Sequence, residues 1–285
     1  MNLCDIHEIK PLLARHGFHF SKSMGQNFLI DPAVPQAIAE ASGADETTGV
    51  LEIGPGIGAL TVQLARRGAR VVAVELDSAL LPVLAETLAD CPNVTVVPGD
   101  ILKLDLEALV REQFDGLTPI VCANLPYNIT TPVLTRLLES GLFASVTVMI
   151  QREVARRICA SPGSGDYGAF TLLCQYYADC ALLFEVEPEC FLPAPKVTSQ
   201  VVRMTRLEEP PVAVTDEALL FQVIRASFAQ RRKKLLNGLS SAFRSRVSRE
   251  ELADILRACG HGETVRGEEL SLAQFAAISE ALARR

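Results

Sequence analysis

The sequence predicts an α/β fold, a largely parallel sheet wrapped by helices, followed by a small all-helical domain. Three observations predict it. Up to about residue 150, apolar strand-like runs alternate with amphipathic helix-like runs, the pattern of strands joined by crossover helices. The first of these runs empties into a glycine-rich turn, Gly54-Pro55-Gly56-Ile57-Gly58. After Arg206 the texture changes: Leu207-Glu208-Glu209-Pro210-Pro211-Val212 reads as a linker, because paired prolines stop both helix and strand, and only helical patterns follow. The expected boundaries are a sheet domain over residues 1–207 and a helical domain over residues 208–285.

Strands are expected at Gly49 to Ile53, Arg70 to Glu75, Val94 to Val97, Pro119 to Asn124 and Ser145 to Ile150, where short apolar runs are rich in β-branched residues. Helices fit the amphipathic stretches Leu60 to Arg67, Ser78 to Ala89 and Pro132 to Glu139. Two later runs, Ala181 to Glu187 and Lys196 to Arg206, flank a proline-rich turn and read as an antiparallel pair closing one sheet edge. Beyond the linker, helices are expected at Glu217 to Phe228, Lys233 to Phe243, Glu250 to Ala258 and Ser271 to Leu282.

Composition narrows the function classes. With 285 residues, 49% of them apolar, the chain can bury a sizeable core without metals or disulfides. Its net charge of −7 argues against coating nucleic acid through bulk charge. No apolar run approaches the length of a membrane span, and the first residues lack the basic and apolar regions of a secretion signal. The eight cysteines are scattered singly, with no C-x-x-C pair, so neither a zinc site nor a disulfide framework is expected. These features predict a cytoplasmic, metal-free protein without a membrane partner, and nothing calls for an obligate oligomer, so a monomer is expected.

A glycine turn after a strand lets the backbone bend tightly and approach a ligand closely. Alone it is an ordinary strand-to-helix turn. Here the next strand ends in Glu75, whose carboxylate can accept both ribose hydroxyls of an adenosine, and the third ends in Gly99-Asp100, placed to accept from an adenine amino group. The spacing is G-x-G-x-G, not the G-x-G-x-x-G of dinucleotide enzymes. The set resembles S-adenosylmethionine (SAM) methyltransferases, and the sheet is expected to be their Rossmann-like class I form.

The fourth strand runs into Asn124-Leu125-Pro126-Tyr127. The motif resembles the signature of methyltransferases that act on exocyclic amines of bases, and chemistry explains why. Adenine N6 is a weak nucleophile because its lone pair is delocalised into the ring. Two acceptors aimed at its hydrogens, the Asn124 side-chain oxygen and the Leu125 carbonyl, localise that pair. Pro126 shapes the turn and Tyr127 can stack on an extruded base. No strong base is required, since the methylated amine is cationic and acidic, and the four histidines lie outside every motif.

These motifs closely resemble those of the ribosomal RNA adenine dimethylases over nearly the whole chain. The likeness includes Lys22-Ser23-Met24-Gly25-Gln26-Asn27-Phe28-Leu29, Leu51-Glu52-Ile53-Gly54-Pro55-Gly56 and Asn124-Leu125-Pro126-Tyr127-Asn128-Ile129. It continues through Gln151-Arg152-Glu153-Val154-Ala155, Phe191-Leu192-Pro193-Ala194-Pro195-Lys196-Val197 and Phe228-Ala229-Gln230-Arg231-Arg232-Lys233. The resemblance implies cofactor contacts at Gln26, Asn27 and Leu29, at Gly54 and Gly56, at Glu75 with Leu76, at Asp100 with Ile101, and at Asn124. It implies that Phe191 faces the target base opposite Tyr127, although by pattern alone Phe191 could equally be a packed loop aromatic. The cofactor implied is SAM, with S-adenosylhomocysteine as product. The substrate implied is a pair of adjacent adenosines in the 3′-terminal hairpin loop of 16S rRNA, within the immature small ribosomal subunit.

Local charge agrees with an RNA partner. Between Phe221 and Glu250 there are eight cations and one acid, including Arg231, Arg232, Lys233 and Lys234. Arg152 and Arg156 extend a basic stripe in the first domain. Such clusters can neutralise phosphates, although a charge run is more often a solvated face. Alternatives are methylation of large-subunit rRNA, methylation of DNA adenine, and a mainly non-catalytic ribosome assembly factor; an NAD dehydrogenase is disfavoured by the loop spacing.

Overall fold

The computed structural model of the chain describes residues 1–20, 25–230 and 233–285. In chain order the elements are α1 (Ile6–Arg15), β1 (Phe28–Leu29), α2 (Ala33–Ala41), β2 (Thr48–Ile53), α3 (Ala59–Ala65), β3 (Arg70–Glu75) and α4 (Leu81–Thr87). There follow β4 (Val94–Pro98), α5 (Leu106–Gln113), β5 (Thr118–Asn124), α6 (Thr130–Ser140), β6 (Ser145–Gln151), α7 (Arg152–Ile158) and α8 (Ala169–Tyr177). Then come β7 (Ala178–Val186), β8 (Phe191–Leu192), β9 (Ser199–Arg206), α9 (Glu217–Phe228), α10 (Leu235–Phe243), α11 (Arg249–Ala258) and α12 (Leu272–Ala283).

The chain forms two compact units, residues 1–155 with 179–206, and residues 156–178 with 207–285. The proline-rich linker does begin the last stretch of the second unit. The segment 156–178, which the sequence reading kept with the sheet, groups with the tail helices instead. Its α8 is apolar on most of its surface, and Tyr176 meets Phe221 of α9 edge to face, ring centres 5.2 Å apart. Tyr167 donates its phenol to the Leu270 carbonyl at 2.7 Å.

In the first unit a seven-stranded sheet runs β4-β3-β2-β5-β6-β9-β7. The pairs β3–β4, β2–β3, β2–β5 and β5–β6 are parallel, and β9 lies antiparallel beside β6. Strand order reverses between β2 and β5. In open α/β sheets the crevice outside the carboxyl ends of the strands at such a reversal is where ligands bind. The two late strands thus fall at one sheet edge, as expected, with β9 inserted between β6 and β7.

Burial follows the pattern of a sheet covered on both faces. All six residues of β2 are buried, and Val71, Val72 and Ala73 of β3 are fully enclosed. One core joins α2, α3 and the sheet through Ile38, Leu64, Val50, Val71, Ile120 and Met149. Another packs α1 and α4 through Ile9, Leu12, Phe28, Ile57, Val83 and Leu84. A separate two-stranded ribbon pairs Phe28 with Leu192 and Leu29 with Phe191. This ribbon ties Phe28 and Leu29, which line the strand-end crevice, to the stretch before β9.

Candidate active site

The crevice at the strand reversal is a cavity of about 230 Å3, walled by residues 25–29 and by the ends of β2, β3, β4 and β5. Each strand contributes where its regular pairing stops. The turn after β2 curls over the cavity floor, and the Gly54 amide donates to the Val74 carbonyl at 2.9 Å. Gly56 has φ +60°, and a Cβ there would lie 3.2 Å from the Phe28 ring. Both the left-handed backbone and the close approach demand glycine.

At the end of β3, Glu75 is 6% exposed and lines the cavity. Its carboxylate accepts the Asp77 backbone N–H at 2.7 Å. Burial raises its pKa, and backbone N–H groups of Asp77, Gly56 and Leu76 pull it partly back. Asp77 in turn accepts from the Gln26 side-chain amide at 2.7 Å, which ties the 25–29 wall to the end of β3. Leu76 stands 55% exposed on the rim, while Ile101 beyond β4 is buried. Asp100 accepts the Leu102 N–H at 3.0 Å and has Lys103 Nζ at 3.5 Å.

At the end of β5, the Asn124 side-chain nitrogen donates to the Asn27 carbonyl at 3.3 Å. An amide held by its nitrogen keeps its oxygen for another donor. Leu125 is buried, and its N–H is taken by the Met149 carbonyl at 3.1 Å. Pro126 then opens a 3-10 turn over Tyr127–Ile129, closed by Ile129 N–H on the Pro126 carbonyl. Tyr127 lines the cavity and its phenol is hydrogen-bonded to Ser199 Oγ at 2.7 Å.

Of the expected cofactor and catalytic residues, all but Phe191 line this cavity. Phe191 departs from the expectation. It is 2% exposed, belongs to the core cluster of Leu29, Val34 and Val201, and is not among the residues that line the cavity. Pairing of Leu29 with Phe191 in the ribbon accounts for this, since it draws the proline-rich turn against the sheet.

Glu52 is a residue the sequence reading left without a role. It is the penultimate residue of buried β2, 1% exposed, and lines the same cavity. Its Oε2 and the neighbouring Thr61 hydroxyl are buried without hydrogen-bond partners. Burial pushes the carboxyl up to about 8, the Thr61 hydroxyl beside it opposes the shift, and the charge of Glu75 adds to it. A carboxylate set among Val50, Leu51 and Ile53 is the signal available in the sequence. An orphaned acid facing a cavity is satisfied by a ligand carrying positive charge. SAM, with its sulfonium and ammonium groups, fits that requirement, and Glu75 and the Gly56 cradle fit its adenosine.

The basic residues divide between the two units. In the first, Arg152 pairs with Glu185 at 3.1 Å. In the second, Arg156 is exposed on α7, and Lys233 and Lys234 are exposed ahead of α10. Arg231 and Arg232, like residues 22–24 of the N-terminal motif, lie outside the described residues. Among the described residues no group of His, Cys, Asp and Glu side chains could hold a metal ion, and no helix is long and apolar enough to cross a membrane.

A doubly wound sheet with an antiparallel strand near one edge, a glycine turn and acids at successive strand ends define a SAM-dependent methyltransferase. The model of one such family, ribosomal RNA adenine dimethylase, matches residues 17–283, and the chain belongs to that family. It is 49% identical over 276 residues to ribosomal RNA small subunit methyltransferase A of Geobacillus thermodenitrificans (strain NG80-2), covering 96% of this chain and 94% of that protein. It is 47% identical over 285 residues to the protein of that name in Streptococcus pneumoniae (strain JJA), covering 99% and 98%. Among solved structures, a dimethyladenosine transferase from Plasmodium falciparum superposes with TM-score 0.73 at 24% identity, covering 88% of this chain and 95% of that one. The 23S rRNA methyltransferase ErmE superposes with TM-score 0.67 at 25% identity, covering 90% and 99%. The chain is thus a SAM-dependent rRNA adenine dimethyltransferase.

Proposed function

We propose that this enzyme transfers two methyl groups to N6 of each of two adjacent adenosines in the 3′-terminal hairpin loop of 16S rRNA. It acts as a cytoplasmic monomer on the immature small subunit. The observation that carries the chemistry is the Asn124–Tyr127 turn on the cavity rim, its amide nitrogen engaged by Asn27. The choice of small subunit rests on the curated relatives, which carry that substrate in their name at 44–49% identity.

Bound SAM supplies an electrophilic methyl group. Glu75 would accept the ribose hydroxyls of the cofactor and Asp100 its adenine amino group, and Leu76 and Ile101 would offer it apolar contact. An exposed leucine such as Leu76 gains a partner once a flat apolar ring covers it. Gln26, Asn27 and Leu29 close the opposite wall, and Glu52 offsets the positive charge. The target adenine, extruded from an unpaired loop at low cost, stacks on Tyr127. Its N6 hydrogens are accepted by the Asn124 oxygen and the Leu125 carbonyl, which localises the nitrogen lone pair for attack on the methyl carbon. The resulting cationic amine loses its proton to water. Arg152 and Arg156, with Arg231, Arg232, Lys233 and Lys234 of the helical region, neutralise rRNA phosphates.

The test is transfer of labelled methyl from SAM to small subunits lacking N6-dimethyladenosine, with large subunits and duplex DNA in parallel and products identified by mass. Dimethyladenosine in the small subunit alone is the expected result. Label in the large subunit would reassign the substrate toward that of ErmE, whose structure matches along 90% of this chain. Asn124→Ala should abolish transfer while leaving subunit binding intact; loss of both together would refute the role given to Asn124.

A further inference from the structure

Attention turns to Ser199, which no motif singled out. It is the first residue of β9 and is completely buried. Because β9 runs antiparallel to β6, its beginning sits beside the end of β6, with Ser199 opposite Gln151. The one strand that runs backward therefore delivers its first side chains to the carboxyl edge of the sheet, where the cavity opens. A buried hydroxyl must find a partner, and that of Ser199 finds the Tyr127 phenol at 2.7 Å.

Tyr127 is only partly buried. It belongs to a short 3-10 turn in which no residue is fully buried, and the ring forms part of the cavity lining. Anchored at Cα and at the phenol oxygen, a tyrosine ring keeps only rotation about the axis joining those points. Such a ring is preorganised as a stacking surface before any base arrives, so less order must be created on binding.

We propose that Ser199 is a positioning residue for methyl transfer: its hydroxyl holds the Tyr127 ring in place at the cavity mouth, where the target adenine is received. The proposal rests on the reading of Tyr127 as the stacking partner of that base. It also gives the proline-rich stretch from Phe191 to Lys196 a purpose other than the one its aromatic suggested. Phe191 anchors the stretch in the core, and the chain that leaves it carries Ser199 to the tyrosine.

The experiment is a double-mutant cycle on the full chain, with SAM and small subunits lacking N6-dimethyladenosine as substrates. Ser199→Ala should lower kcat/KM for the subunit about five- to tenfold, the scale of one lost hydrogen bond. SAM affinity by calorimetry should stay within about twofold of wild type, because the phenol lies outside the cofactor contacts. Tyr127→Phe removes the same bond from its other end and should show the same loss. The double variant should be no worse than either single one, and Ser199→Thr should restore most of the rate. Additive losses, or a wild-type rate in Tyr127→Phe, would overturn the proposal even if Ser199→Ala proved unstable. A Tyr127→Ala variant with wild-type kcat/KM would instead reject the stacking role on which the proposal depends.

Discussion

The ends of two neighbouring strands place a glutamate each in one cavity and treat them in opposite ways. Glu75 lies where β3 stops, so the freed N–H of Asp77 turns onto its carboxylate at 2.7 Å. Glu52 lies within β2, where backbone N–H groups are committed to the sheet, and its Oε2 has no partner. The difference teaches that the position of an acid relative to the strand end decides whether the protein or the ligand satisfies it. Glu75 is organised before the cofactor arrives. Glu52 is a deficit that binding corrects.

The largest expected effect comes from the organised partner. Glu75→Ala should weaken SAM binding by about 10- to 100-fold, the scale of hydrogen bonds to a charged acceptor, measured by calorimetry. Unchanged affinity would remove the ribose contact and with it the contrast.

An intermediate effect comes from the deficit. The Glu52 carboxyl titrates near 8 in the folded chain, well above an unfolded glutamate. Between those values the folded state holds a proton the unfolded state has lost, so ΔG of unfolding falls as pH rises. Cofactor-free protein should therefore lose stability from about pH 5 to pH 8, and Glu52→Gln should flatten that slope and be the more stable variant above pH 8. Thermal unfolding across this range checks it, and parallel curves for the two proteins would show that Glu52 is not the titrating group.

The smallest effect concerns the hydroxyl beside it. Thr61→Val removes a buried hydroxyl beside the Glu52 carboxyl at nearly constant volume and should change stability by no more than about 1 kcal/mol. It also takes away the group that opposes the Glu52 shift, so the downward slope should extend to higher pH. A slope that ended earlier would contradict the assignment of Thr61 as the opposing group.

Much of this architecture was legible because it is written in local patterns. Strands β2 to β6 were expected within a residue or two, since uninterrupted β-branched runs separated by amphipathic stretches have few other readings. Helix α9 matches its expected bounds from Glu217 to Phe228, where Asp216 caps it through the Leu219 N–H. The ribbon of β1 and β8 was not legible: two residues per strand carry no periodicity, and the pairing joins distant parts of the chain. The grouping of residues 156–178 with the tail helices is likewise a long-range fact, invisible to a reading that looked for linkers. In the site, Glu75 and Asp100 stand out in the sequence because each ends a strand, whereas Glu52 reads as part of the strand feeding the glycines. The role expected of Phe191 comes from family resemblance, since its own pattern fits a packed loop aromatic equally well, and the residue that reaches Tyr127 is the plain serine that begins β9.

The ribbon has one more consequence, for the order in which the enzyme becomes competent while it is being made. A chain emerging from the ribosome in its N-to-C direction exposes the glycine turn, both glutamates and the Asn124 turn long before Phe191 and Leu192. Until those two residues are out, Phe28 and Leu29 have no strand to pair with, and the wall from Gly25 to Leu29 has its side-chain ties to Asp77 and Asn124 but not its ribbon. A nascent chain therefore carries most of the cofactor's contacts before its chamber wall is paired, and gains that pairing only after Leu192 of its 285 residues has been made.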